Sequence, residues 1–109
     1  MPSQGIWLFF DFGVRGDYES LYKWLDSREA KECSENAAYI NFRYEENLVD
    51  EVTTSLQSTI KMTPANRVYL IGRWGEPEKT RGKFIIGHRK PALWAGFSPP
   101  RDAPPADEA

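Results

Sequence analysis

The chain reads as an α+β domain, an open antiparallel sheet with two helices on one face. Three observations predict it. Several short segments alternate apolar and polar residues, as half-buried strands do. Two longer segments repeat apolar residues every three to four positions, as amphipathic helices do. The two kinds of segment follow each other through short polar connections.

Ile6–Phe12 is a nearly continuous apolar and aromatic run, suited to a central strand, and Gly13 and Gly16 close it. Asp17 then caps a helix, with Glu19 in the first turn. Tyr18, Leu21, Tyr22, Trp24 and Leu25 form its apolar stripe, which runs to about Arg28. Ala30–Cys33 can extend that helix or form a short strand turned back by Ser34, Glu35 and Asn36; the turn residues favour a hairpin. Ala38, Ile40, Phe42 and Tyr44 alternate with Tyr39, Asn41 and Arg43, a strand pattern. Asn47 starts the second helix, Leu48, Val52, Leu56 and Ile60 march along it, and Pro64 stops it. Arg67–Trp74 alternates again. Gly75–Gly82 reads as a polar hairpin loop, Lys83–Arg89 as a last strand, and Leu93–Phe97 as a lid folded over exposed apolar surface. Residues 98–109 hold four prolines and no large apolar side chain, so they read as a disordered acidic tail on a body of residues 1–97.

With the hairpin counted, the order is βαββαβ plus an extra C-terminal strand, the ferredoxin-like split-βαβ plan. Without it, a three-stranded parallel βαβαβ sheet with one added strand is the competitor.

At 109 residues and 40% apolar, the chain suits one domain with a modest core. No apolar run approaches 18 residues and no basic leader opens the chain, so the expectation is a soluble, cytoplasmic protein without a membrane contact. One Cys33 and one His88 exclude an internal disulfide framework and the common structural zinc sites. The net charge of −2 conceals a pattern. Residues 1–66 carry 11 acids and 6 bases, residues 67–97 carry 2 acids and 7 bases, and the tail is acidic again. Such a dipolar chain steers anionic partners or favours self-association.

If Ile6, Leu8 and Phe10 face the helices, the opposite sheet face shows Trp7, Phe9, Tyr39, Asn41, Arg43, Tyr69, Ile71 and Arg73. That set is too apolar to sit bare in water. A second copy can cover it, giving a homodimer with Trp7, Phe9, Tyr39, Arg43, Tyr69 and Ile71 in the interface. Unpaired bases can also cover it, since they stack on aromatics beside Arg and Asn. The basic residues Arg73, Arg81, Lys83, His88, Arg89 and Lys90 are the binding candidates. Strand parity sets Arg81, Lys83 and Arg89 on one face beside Arg73, a strip for an acidic protein or a nucleic acid. The expected function is therefore non-enzymatic: a homo-oligomeric binding protein, without a cofactor, that presents the 67–90 hairpin.

Candidate chemistry is sparse. Asp11 ends the first strand and can offer oxygen to a hard cation such as Mg²⁺, although one carboxylate supplies too few ligands. Otherwise it accepts N–H bonds from the Gly13–Gly16 loop. Those glycines open a helix, but Asp17 and Glu19 would repel a phosphate there. Cys33 is a nucleophile only if folding brings His88 to it. Arg81–His88 has the look of the RNA-recognition-motif stretch, yet it follows the second helix, and Ile85 and Ile86 stand where rings are wanted.

Trp7–Asp11, together with Ala37–Phe42, Leu48–Ile60 and Arg67–Ile71, resembles the small CRISPR-associated adaptation proteins and their toxin-like relatives. The resemblance covers about 70 residues in pattern and departs at the Gly13–Gly16 loop and at Pro91–Phe97. It implies a ferredoxin-like homodimer with paired sheets. It also implies, as an alternative function, a metal-dependent nuclease with Asp11 at the two-fold interface.

Overall fold

A computed structural model describes residues 2–100. Its elements are β1 (Ser3–Asp11), α1 (Tyr18–Ser27), β2 (Lys31–Ser34), β3 (Ala37–Arg43), α2 (Leu48–Gln57), β4 (Arg67–Trp74) and β5 (Lys79–Ile86). The strands form one open sheet in the order β2-β3-β1-β4-β5, every neighbouring pair antiparallel. The α+β class holds, and Lys31–Ser34 takes the hairpin option. The parallel competitor is thereby corrected. The predicted tail lies, from residue 101, outside the described residues.

Alternation along the strands sets the layers. Ile6, Leu8 and Phe10 of β1, Ala38, Ile40 and Phe42 of β3, and Val68 and Leu70 of β4 are buried. They meet Leu21, Trp24 and Leu25 of α1 and Leu48, Val52 and Leu56 of α2 in one core. Both helices thus cover the same face.

Polar groups fix how the helices enter. Asp17 caps α1, accepting from the Ser20 N–H at 3.1 Å, and its other oxygen accepts from the Lys61 N–H at 2.9 Å. One carboxylate therefore ties the start of α1 to the segment after α2. Asn47 caps α2 through the Asp50 N–H at 2.9 Å. Glu51 gathers the N–H groups of Glu45, Glu46 and Asn47, each at 2.8 Å. These backbone donors hold the Asp17 and Glu51 carboxyls below their ordinary pKa values. A depressed carboxylate pKa contributes stability above the unfolded-state value and loses it as pH falls. The thermal midpoint is accordingly expected to drop as pH falls below about 4. Glu51→Gln should flatten that drop in scanning calorimetry across the acid range.

Two boundaries differ from the pattern. Helix α2 stops at Gln57, not near Pro64. The Ser58 and Thr59 hydroxyls both donate to the Ser55 carbonyl, at 3.1 and 2.8 Å, and so compete with helical bonding. Ile60 is still buried, carried in by the following turn. Strand β5 begins at Lys79, because the ladder with β4 continues through Trp74↔Lys79, and it ends at Ile86. Gly87 then takes φ +74°, the left-handed region that glycine tolerates and that a strand excludes. His88, Arg89 and Lys90 consequently lie beyond the sheet, not on a last strand. No helix among the described residues is long and apolar enough to cross a membrane.

Candidate functional site

The face opposite the helices carries no covering element among the described residues. Strand pairs on this face are Trp7 with Tyr39 and Ile71, Phe9 with Tyr69, and Tyr69 with Phe84. Trp7 and Tyr39 lie with ring centroids 5.0 Å apart, and Tyr69 meets Phe84 edge-on at 4.9 Å. Trp7 and Phe9 at its centre keep 42% and 41% of their surface exposed.

Two tyrosines lie flat across glycines. A Cβ on Gly5 would strike the Tyr39 ring, and one on Gly82 would meet the Tyr69 hydroxyl at 2.5 Å. The absent side chains let the rings cover strand backbone, which makes a broad, low aromatic surface.

Cations edge this surface, and the central ones are engaged. Arg67 pairs with Asp11 at 3.2 Å and stands 5.8 Å from the Phe84 ring centre. Arg73 pairs with Glu78 at 3.5 Å. Arg89 stacks over Phe84 and Tyr69, at 5.4 and 5.9 Å. Arg43 sits at the Ser3 end of β1, opposite Ser3, and is exposed. A concavity of about 420 Å³ opens between Phe9, Asp11, Asn36, Arg67, Tyr69 and Phe84.

The anticipated basic strip is not assembled. Arg81 pairs with Gly72 and Lys83 with Leu70, so both point to the helix side of the sheet, whereas Arg73 and Arg89 lie on the open side. The physical reason is the hairpin register, Trp74↔Lys79, which sets Thr80 and not Arg81 opposite Arg73. The shift between Val68 and Tyr69, which leaves Ile85 unpaired, then changes the parity of the residues after Phe84. Arg81 also serves the turn. Its Nε donates to the Trp74 carbonyl at 2.6 Å and its Nη2 to the Pro77 carbonyl at 3.0 Å. Arg81→Ala is expected to cost about 1 kcal/mol in a urea titration, while binding of polyanions such as heparin stays unchanged.

Asp11 accepts from the Gly13 N–H at 3.0 Å and from Arg67 Nη2 at 3.2 Å. The Gly13 bond and then Arg67 hold its carboxyl below the ordinary range. Both oxygens are thus occupied by protein donors. Among the described residues no three of His, Cys, Asp and Glu gather as metal ligands. Cys33 is exposed on β2 and His88 follows β5, at opposite edges of the sheet. Four strand spacings, about 19 Å, separate those edges, so no Cys–His pair is formed.

The expected lid is the clearest correction. Leu93, Trp94 and Phe97 are 91%, 77% and 86% exposed. Their segment closes two tight turns, Ala95 N–H to the Ala92 carbonyl and Phe97 N–H to the Trp94 carbonyl, both at 3.1 Å. It therefore stands off the body and covers nothing.

A cluster without a signal in the sequence joins both helices and β3. Trp24 Nε1 and Arg28 Nη2 both donate to Ser55 Oγ, at 2.9 and 3.0 Å. The Arg28 guanidinium lies 4.4 Å from the Trp24 ring centre and 5.7 Å from that of Phe42. Burial lowers its pKa. Helical spacing placed Trp24 in the core, but nothing local linked Arg28 to Ser55.

Comparison with protein-family models, characterised proteins and solved structures gives no match.

Proposed function

We propose that the protein is a non-enzymatic binding protein that works as a homodimer, with the aromatic sheet face of each copy packed on that of the other. The observation that carries this reading is a broad sheet face whose central Trp7 and Phe9 are more than two-fifths exposed. Water is a poor cover for such a surface. The charge pattern supports a second copy over a polyanion at the centre, because Asp11 and Glu78 already match Arg67 and Arg73. Exposed Lys79, Lys83 and His88 stay outside the paired faces and meet an acidic protein or a nucleic acid.

The ferredoxin-like reading belongs to this proposal. Its support is the sequence of strands β2-β3-β1-β4, in which β3 separates β1 from β2 and each helix crosses over one strand. In this reading β5 is the added strand, laid beside β4.

Size-exclusion chromatography with light scattering tests the dimer. Twice the 12.5 kDa chain mass is expected at micromolar concentration, and a strict monomer overturns the proposal.

A further inference from the structure

The exposed segment after β5 packs against nothing on its own body, and a groove at the far edge of the sheet matches it in chemistry. That groove, about 430 Å³, runs between α1 and the β2–β3 hairpin. Phe10, Leu25 and Ala38 give it an apolar floor, while Asp26, Glu32 and Glu35 against the one Lys31 leave its rim net acidic. The segment offers the complement, with Lys90 followed by exposed Leu93, Trp94 and Phe97.

The topology brings the two within reach across a dimer. Asp11 pairs with Arg67, Val68 with Ile86, Phe9 with Ala37, and Ala37 with Ser34. The exit of β5 and the β2–β3 hairpin therefore lie at the same end of the sheet, on opposite edges. When two open faces meet about a two-fold axis along the strands, β5 of one copy lies over β2 of the other, like ends together. Arg89, stacked on Tyr69 and Phe84, shows that the chain leaves β5 on the open-face side. From Arg89 to Leu93 the chain can extend about 13 Å, more than the roughly 10 Å between packed sheets.

We infer that each copy's segment 89–97 rounds the partner's β2 edge and seats Leu93, Trp94 and Phe97 in the partner's groove between α1 and the β2–β3 hairpin. This rests on the face-to-face dimer proposed above and names a second part of its interface. The surface requirement is met. The exposed parts of Trp7, Phe9, Leu93, Trp94 and Phe97 amount to more than three whole side chains. At 150–250 Å² each, a pair buries about 1,200 Å², above the roughly 1,000 Å² that a specific interface needs.

Two full-length Cys33→Ser proteins test the inference, one also Glu35→Cys and the other also Phe97→Cys. Mild oxidation of the mixture is expected to give a covalent heterodimer well above the homodimers that either gives alone. Trp94→Ser should raise the dimer dissociation constant about 30-fold and leave the urea midpoint of the monomer in place. If the parent is dimeric but the heterodimer fails to form, or Trp94→Ser pairs as tightly as the parent, the clasp is overturned and the sheet-face dimer stands. A chain carrying both Glu35→Cys and Phe97→Cys that closes on itself at high dilution also overturns it. A monomeric parent overturns both readings.

Discussion

A Trp7→Thr, Phe9→Thr double variant should run as a monomer at concentrations where the parent chain is a dimer. Threonine keeps the β-branched shape that β1 tolerates, so the sheet persists while the two largest exposed side chains at its centre disappear. Aromatic anchors at an interface centre typically contribute 2 kcal/mol or more each. A two-fold pair loses four of them. Interface contributions do not add, yet a weakening of about a thousand-fold or more is expected in sedimentation equilibrium. Because both positions point away from the core, the unfolding free energy of the isolated subunit in a urea titration should change by only about 1 kcal/mol. A variant that stays dimeric at parental affinity would place the interface elsewhere.

The second large effect lies on the other side of the sheet. Trp24 is 3% exposed, stacks on Phe42 at 6.3 Å, carries Arg28 over its ring and donates to Ser55. Trp24→Ala should cost about 3–5 kcal/mol in a denaturant titration. For a chain this short that approaches the whole folding free energy, which is about 5–15 kcal/mol for natural domains. Trp24→Phe separates the contributions. It keeps most of the ring, loses the indole N–H, and should cost about 1–2 kcal/mol. A cost for alanine near that for phenylalanine would mean that Arg28 and its neighbours repack into the space.

Much of the fold was legible because it depends on alternation and on end signals. Ile6, Leu8 and Phe10 alternate with Trp7 and Phe9, and the two sets occupy opposite faces as expected. Asp17 and Asn47 cap the two helices they were expected to start. The hairpin option for Lys31–Ser34 prevailed because Ser34 and Asn36 supply the turn.

What failed depended on register or on contacts far apart in the chain. Parity sets Arg81, Lys83 and Arg89 on one face while the ladder is regular, and Arg73 beside them only in a register that opposes it to Arg81. The ladder opposes Arg73 to Thr80, and the shift at Val68/Tyr69 with the turn at Gly87 parts Arg89 from Arg81 and Lys83. The ties from Ser55 to Trp24 and Arg28 span 31 and 27 residues, beyond any local pattern. Leu93, Trp94 and Phe97 were legible as apolar side chains that need cover. Whether the cover comes from the same chain is a question of reach, and residue type carries no information about reach.

The tyrosines lying over glycines also bear on how this surface can change. Gly5 and Tyr39 form a joint unit, as do Gly82 and Tyr69, since either glycine can acquire a Cβ only if the ring above it moves or goes. Substitution at one position of a pair should therefore be tolerated chiefly in company with substitution at the other. Among descendants of this sequence, the two members of each pair are expected to be inherited together or lost together.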